Sequence, residues 1–225
     1  MLTSSRTQLL ASGGMIIVLS MTAVFIATWF GPATERMLTV FFISLTAVVG
    51  IGVYSGNSGI LSFGHVAFMG IGAYASSLLT VPAALKVATL PGLPTWLATV
   101  ELPLIPATLI AMVFTAVVAL AVGAAISKLE GSAATIATLG LLIIVHGVII
   151  GWRDVTRGAQ SFFGVPRVTD LVTAAAFCVI ALLLARLYRD SVSGLRLRAG
   201  RENAIAAGAV GVRIRWERLI SFVLA

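Results

Sequence analysis

The chain has 225 residues, of which 59% are hydrophobic and 10% are charged. A soluble globular domain carries about 25% charged residues, so this composition excludes an ordinary soluble protein and predicts a membrane protein. The formal net charge of +7 does not indicate nucleic-acid binding, because the basic residues lie between apolar runs, where orientation in a membrane explains them.

Apolar runs divided by charged or Pro- and Gly-rich breaks predict the membrane-spanning helices. A helix that crosses a bilayer needs about 20 mostly apolar residues. The runs predict six complete spans and the start of a seventh, at 13–30, 38–56, 58–80, 103–126, 133–151, 171–188 and from Leu219. All seven prolines lie in the breaks or where a span begins, which supports this division. The sequence therefore predicts an all-α, polytopic transmembrane helix bundle, with residues 1–225 as one domain.

The basic residues predict the orientation of this bundle. If the N-terminus is cytoplasmic, six crossings also place the connection 189–218 in the cytoplasm. Cytoplasmic connections are enriched in Lys and Arg, and this topology places ten of the 15 basic residues on the cytoplasmic side. The long connections 81–102 and 152–170 then face outward.

The run 54–79, YSGNSGILSFGHVAFMGIGAYASSLL, is the first segment with a candidate function. Glycines and polar side chains interrupt it, and polar groups at membrane depth normally face the bundle interior or a water-filled path. Two interpretations remain open: an interrupted helix that lines a translocation path, or a tightly packed helix whose hydroxyl groups are bonded internally. The candidate path residues are Ser58, Gly59, Ser62, Gly64 and His65.

The residues that could carry catalysis, metal binding or ATP binding are sparse. His65 and His146 stand without nearby intramembrane carboxylates, which favours structural hydrogen bonds over a proton relay. Together with the single cysteine, Cys178, they form no metal-ligand pattern. Neither Lys86 nor Lys128 follows a glycine, so the chain lacks the Gly-Lys pair of a phosphate-binding loop. The sequence predicts no catalytic residue, no metal and no cofactor on this chain, which is therefore not an enzyme by itself.

The connection 189–218 is the second segment with a candidate function. Its centre, Glu202 to Gly211, reads as a short helix with a surface of small side chains that could fit a groove of another protein. The alternative is a solvated basic loop held to anionic lipid. The candidate contact residues are Arg198, Arg201, Glu202, Ala206, Ala207 and Gly211.

At these segments the sequence resembles the LivM-type permeases of branched-chain amino acid ABC importers, an inner-membrane component family of binding-protein-dependent transport. The first segment is similar to the family's Gly-rich run, and the second is similar to its coupling motif. The matching stretches are 61–65, 67–68, 71–74 and 194–212, with a looser match at 137–139 and 156–166. One departure is Thr156-Arg157-Gly158, where relatives have paired glycines.

The resemblance implies a permease subunit that imports leucine, isoleucine and valine across the cell inner (plasma) membrane. It implies cytoplasmic ATP-binding subunits that contact the coupling residues, a second permease subunit, and a periplasmic or extracellular solute-binding protein. Relatives continue for several helices after the coupling motif, so a C-terminally truncated chain is expected. The alternatives are a permease for urea or another small solute, an ATP-independent secondary transporter or channel, and a membrane scaffold that does not transport.

Overall fold

A computed structural model describes residues 31–225 except 161, 162 and 167, together with five isolated earlier positions. Within this part of the chain all regular secondary structure is helical and no strand is present. The predicted span 13–30 falls outside the described residues apart from those positions. The described helices are α1 Pro32–Ser58, α2 Gly64–Thr80, α3 Ala83–Thr89, α4 Thr95–Thr99, α5 Leu104–Ile126, α6 Gly131–Gly151, α7 Arg153–Thr156, α8 Leu171–Asp190, α9 Val192–Glu202, α10 Ala204–Ala209 and α11 Ile214–Leu224.

Four of these helices, α1, α5, α6 and α8, are long and apolar enough to cross a membrane. A fifth candidate arises only if α2 and α3, which are bent by 116° at their junction, count as one span. Over the described residues the structure therefore supports four or five spans, and six complete spans are not confirmed. The helix near the C-terminus begins at Ile214, five residues before the predicted start at Leu219.

The predicted span 58–80 is divided. Helix α1 continues through Ser58 and ends at Gly59, which has a φ of 72° and donates its N–H to Ser55 O at 3.0 Å. This left-handed conformation is open to glycine without steric cost, and it stops the helix. The next helix begins only at Gly64, so residues 59–63 interrupt the run 54–79. An interrupted helix was one of the two interpretations of this run.

The chain divides into two compact units, one formed by Met1–Gly59 with Thr169–Ala225 and the other by Ile60–Val168. In the first unit α1 packs along α8, α9 packs against both of them, and α11 packs against α1 and α9. The α1–α8 contact is built on small and apolar side chains. Its buried members are Phe42, Leu171, Ala174, Ala175 and Cys178. Alanines in such a contact let helix backbones approach closely.

In the second unit α2 packs against α5 and α6. A Cβ built at Gly72 of α2 would lie 3.4 Å from Thr115 Oγ1 of α5, which is an ordinary van der Waals distance and shows how closely the two helices lie. In contrast to a soluble protein, the long helices expose large apolar side chains; Val113 of α5 is 63% exposed and Ile143 of α6 is 65% exposed. A bilayer solvates the apolar side chains on the outer faces of spanning helices.

The connection 81–102 is ordered by a buried lysine. Lys86, on α3, is fully buried, and its ammonium group donates to the carbonyl oxygens of Leu97, at 3.3 Å, and of Val100. These carbonyls lie at the end of α4, where a helix leaves its last carbonyl groups without internal partners. Lys86 therefore has a structural role in this connection.

Candidate functional site

The predicted contact segment 189–218 is folded as helices rather than as a loop with one short helix. Ser191 caps α9, because its Oγ accepts a hydrogen bond from Gly194 N at 3.2 Å. Asn203 is extended, and its Oδ1 accepts from Ala206 N at 3.0 Å to cap α10. Glu202 is consequently the last residue of α9 and does not belong to the short helix, which corrects the sequence-based assignment.

The short helix α10 ends in a hydrogen-bonded turn at Gly211. Gly211 N donates to Gly208 O and Val212 N donates to Ala207 O, both at 3.0 Å. Gly211 has a φ of 85°, so the two bonds form the Schellman arrangement in which a left-handed glycine follows the helix. Of the predicted contact residues, Gly211 therefore shapes the end of α10.

The side chains of α10 divide into an inner and an outer group. Ala207 is buried, whereas Ala206 is exposed. The largest exposed side chains are Ile205 on the helix and Val210 after it, at 87% and 81% exposure. The outer surface of α10, defined here as Ile205, Ala206 and Val210, is therefore apolar. The sequence pattern pointed to the alanines and missed the two larger side chains.

The two candidate arginines are engaged within the chain. Arg198 Nη2 donates to Arg189 O at 2.8 Å, in the last turn of α8. Arg201 Nη1 donates to Gly56 O at 2.9 Å, in the last turn of α1. Helices leave their final carbonyl groups unpaired and carry partial negative charge at this end, so a guanidinium group is stabilising there. Both arginines thus cap helices that can span a membrane.

Glu202 differs from these arginines in its surroundings. Its side chain is 81% exposed, and its ion pair with Arg201 has an N–O distance of 3.9 Å. An exposed pair at this distance contributes little stability. Glu202 is therefore accessible for a contact outside the chain.

A buried carboxylate connects α9 to α11. Glu217 is 6% exposed; one carboxylate oxygen accepts from Ser193 Oγ, and the other lies 3.5 Å from Arg196 Nη1. Helix α11 also packs on α1, where Ser221 Oγ donates to Val53 O at 3.1 Å. Because the last span was predicted to start at Leu219, Glu217 was assigned to a loop. Its contacts with α9 were therefore not predicted. Polar residues between two helical segments carry no periodic signal that reveals which of them will be buried.

The predicted path residues fall in both compact units. Ser58 and Gly59 end α1 in the first unit, where Ser58 is buried and hydrogen-bonds Tyr54. Ser62, Gly64 and His65 belong to the second unit, at the start of α2. The structure describes each group in its own unit, and the path-lining role of the five residues stays a prediction.

In the second unit, Ser62 and His65 form a buried polar pair. Ser62 Oγ and His65 Nδ1 lie 2.8 Å apart, within hydrogen-bond distance. Between them, Phe63 N donates to Thr138 Oγ1 of α6 at 3.3 Å, and Thr138 Oγ1 donates to Thr135 O at 2.8 Å. Hydrogen bonds of this kind satisfy the polar groups at the helix start, where N–H groups lack internal partners.

Thr138 is the residue of this cluster that sequence reasoning did not single out. It is fully buried, and a Cβ built at Gly64 would lie 3.3 Å from Thr138 Cβ. Gly64 therefore allows α2 to approach α6 at the threonine. Thr138 lies in the looser stretch of similarity at 137–139, which was the only signal that could have indicated it.

A comparison with protein-family models matches residues 33–225 to the family described as the permease component of the branched-chain amino acid transport system. Comparisons with curated proteins and with solved structures gave no match. The family match runs from the second residue of α1 through α11, and so includes both candidate segments.

Proposed function

Because this chain belongs to the family of permease components of branched-chain amino acid transport systems, we propose that it is the membrane subunit of an ATP-driven importer of leucine, isoleucine and valine. In this proposal a separate cytoplasmic subunit binds and hydrolyses ATP, and the chain itself has no catalytic residue and no cofactor. A second permease subunit completes the path, and a solute-binding protein outside the inner membrane delivers the amino acid.

The observation that carries this proposal is the construction of α10. A six-residue helix is too short to be stable alone. Here caps at both ends hold it, and the neighbouring α9 is hydrogen-bonded to the ends of α1 and α8. Its outer surface, Ile205, Ala206 and Val210, is apolar and exposed although the flanking sequence is rich in arginine. An exposed apolar surface with a polar rim is typical of a protein contact.

The same arrangement supports a docking site for the ATP-binding subunit on the cytoplasmic side. Arg196, Arg213 and Arg215 lie close to this surface in sequence, and cytoplasmic segments are enriched in such residues. Glu202 supplies an exposed carboxylate next to α10. ATP-driven movement of the docked subunit would then reach the spans through α9.

The experiment that tests this function is reconstitution in proteoliposomes. The chain is co-expressed with its companion permease, the ATP-binding subunits and the solute-binding protein, and uptake of labelled leucine is measured with and without ATP. We expect uptake only when ATP and all subunits are present. Liposomes that lack the ATP-binding subunits are the control.

Other outcomes replace specific parts of the proposal. Transport of labelled urea or another small solute in place of leucine would retain the ATP-driven permease and overturn the substrate. Leucine uptake that is independent of ATP would indicate a secondary transporter or a channel. Absence of any uptake by the complete assembly would indicate a membrane scaffold.

A further inference from the structure

Arg201 makes two contacts with the end of α1. Its guanidinium group donates to Gly56 O, which α1 leaves without a helical partner. Its aliphatic part covers Gly59: a Cβ built there would lie 2.9 Å from Arg201 Cγ and 3.1 Å from Arg201 Cδ. Any larger residue at position 59 would therefore displace the Arg201 stem, and the φ of 72° also disfavours a residue other than glycine.

These contacts join two segments that are far apart in sequence. Arg201 is followed by Glu202, Asn203 and the start of α10, so it lies directly beside the proposed docking helix. Gly59 is where the chain leaves α1 for residues 60–63, the interruption that precedes α2. Arg201 therefore provides a direct contact between the end of α9, beside α10, and the end of α1.

We infer that Arg201 is a positioning residue that fastens the end of α9 to Gly56 and Gly59, and that it transmits the movement of α10 to the point where the chain leaves α1. This role differs from the contact with another protein for which the sequence made Arg201 a candidate. The inference rests on the proposed function, because it concerns how ATP hydrolysis on a partner reaches the transport path.

The functional test measures the number of leucine molecules taken up for each ATP hydrolysed by the reconstituted assembly. In Arg201→Met, which keeps an apolar stem and loses the guanidinium group, we expect this ratio to fall by about fivefold or more. Binding of the ATP-binding subunit and the basal rate of ATP hydrolysis should stay at their original values.

Two further variants make this test specific. Arg201→Lys keeps both an aliphatic stem over Gly59 and a cation that can reach Gly56 O. The number of leucine molecules taken up for each ATP hydrolysed should therefore stay within about twofold of the original value. Arg36→Met, which alters an exposed arginine near the start of α1, far from Gly56 along the helix, is the matched control and should leave the ratio unchanged.

A double-mutant cycle tests the contact independently of transport. Gly59→Ala adds a methyl group against Arg201 Cγ, and we expect it to lower the apparent melting temperature by about 3 °C or more. In an Arg201→Ala background the methyl group meets no arginine stem, so the additional loss should be clearly smaller. Additive losses would contradict the contact and overturn the inference.

The outcomes separate this inference from the proposed function. Loss of ATP-binding-subunit association in Arg201→Met would make Arg201 a docking residue and overturn its positioning role, as would an unchanged ratio. If the unaltered assembly binds the ATP-binding subunit but transports no leucine, the substrate proposal fails, and the ratio is measured with the solute that is transported. If no solute is transported, the proposal of ATP-driven import fails, and the transmitting role of Arg201 fails with it. Non-additive losses in the double-mutant cycle would then support only the contact between Arg201 and Gly59.

Discussion

Gly194 and Gly208 lie in the same cytoplasmic segment but have different surroundings. A Cβ built at Gly194, in α9, would lie 2.2 Å from Tyr188 O and 2.9 Å from Arg189 O, which are backbone atoms at the end of α8. Outside the backbone of α10 itself and the two neighbouring residues, no atom of the described chain lies within 4 Å of a Cβ built at Gly208, in α10. Gly194 is therefore needed for close approach, whereas Gly208 has no such requirement.

This difference gives a matched pair of substitutions. Gly194→Ala should lower the free energy of unfolding by about 2 kcal/mol, because the backbone of α8 has to move away from the added methyl group. Gly208→Ala should be neutral or raise it by up to about 0.8 kcal/mol, because alanine favours a helix more than glycine does. Thermal unfolding in detergent, followed by tryptophan fluorescence, measures both. Equal losses would show that α9 does not lie against the end of α8.

Two buried polar side chains of α11 are paired with groups from other helices. Glu217 accepts from Ser193 and lies beside Arg196, and Ser221 donates to Val53 O. A buried carboxylate is tolerated only when such partners replace its water. These pairs therefore specify how α11 lies against α9 and α1.

At the level of elements, α10 combines weak intrinsic stability with an exposed apolar surface. It is a short helix whose ends are held by Asn203 and Gly211. Ile205 contacts little of its own chain, since it is 87% exposed. Substitution at this position should therefore affect an external contact and leave the fold intact.

Replacement of the apolar side chain by a charged one tests this expectation. Ile205→Glu should reduce co-purification of the ATP-binding subunit by about tenfold or more, because a buried apolar contact is replaced by an unpaired charge. The melting temperature of the isolated chain should not change. Val192→Glu, at a 62% exposed apolar position of α9, is the control and should bind the subunit normally. Normal binding by Ile205→Glu would show that α10 is not the docking helix.

At the scale of the whole molecule, the orientation of the chain in the membrane can be read with introduced cysteines. The single native cysteine, Cys178, is fully buried between α1 and α8, so it should not react with a polar reagent. Ile205 lies in the segment expected in the cytoplasm, and Trp96, which is 67% exposed, lies in the connection expected outside. These two positions therefore report opposite sides.

We expect a membrane-impermeant maleimide to label Trp96→Cys in intact cells and Ile205→Cys only in inside-out vesicles. The positive-inside rule is the physical reason, because seven arginines accompany Ile205 in 189–218. Labelling of the unaltered protein measures the background reaction of Cys178. The reverse labelling pattern would place the arginine-rich segment outside and overturn the proposed docking to a cytoplasmic subunit.

Local composition was sufficient for much of the helical fold. Apolar length predicted α1, α5, α6 and α8 with ends within about six residues, because the thickness of a bilayer sets a minimum apolar length for a spanning helix. An interruption in 54–79 was one of the two interpretations that its glycines and polar residues left open, and the structure has it at residues 59–63. Resemblance in this run and in 194–212 indicated the family, which the family model confirms over 33–225.

Contacts between distant residues were decided only by the tertiary structure. Whether Arg201 faces a partner or caps α1 depends on the position of Gly56, 145 residues earlier in the chain. The burial of Glu217 depends similarly on Ser193 and Arg196, and that of Thr138 depends on Gly64. Periodicity records which residues are apolar, whereas the partner of a polar side chain is selected by how the helices pack.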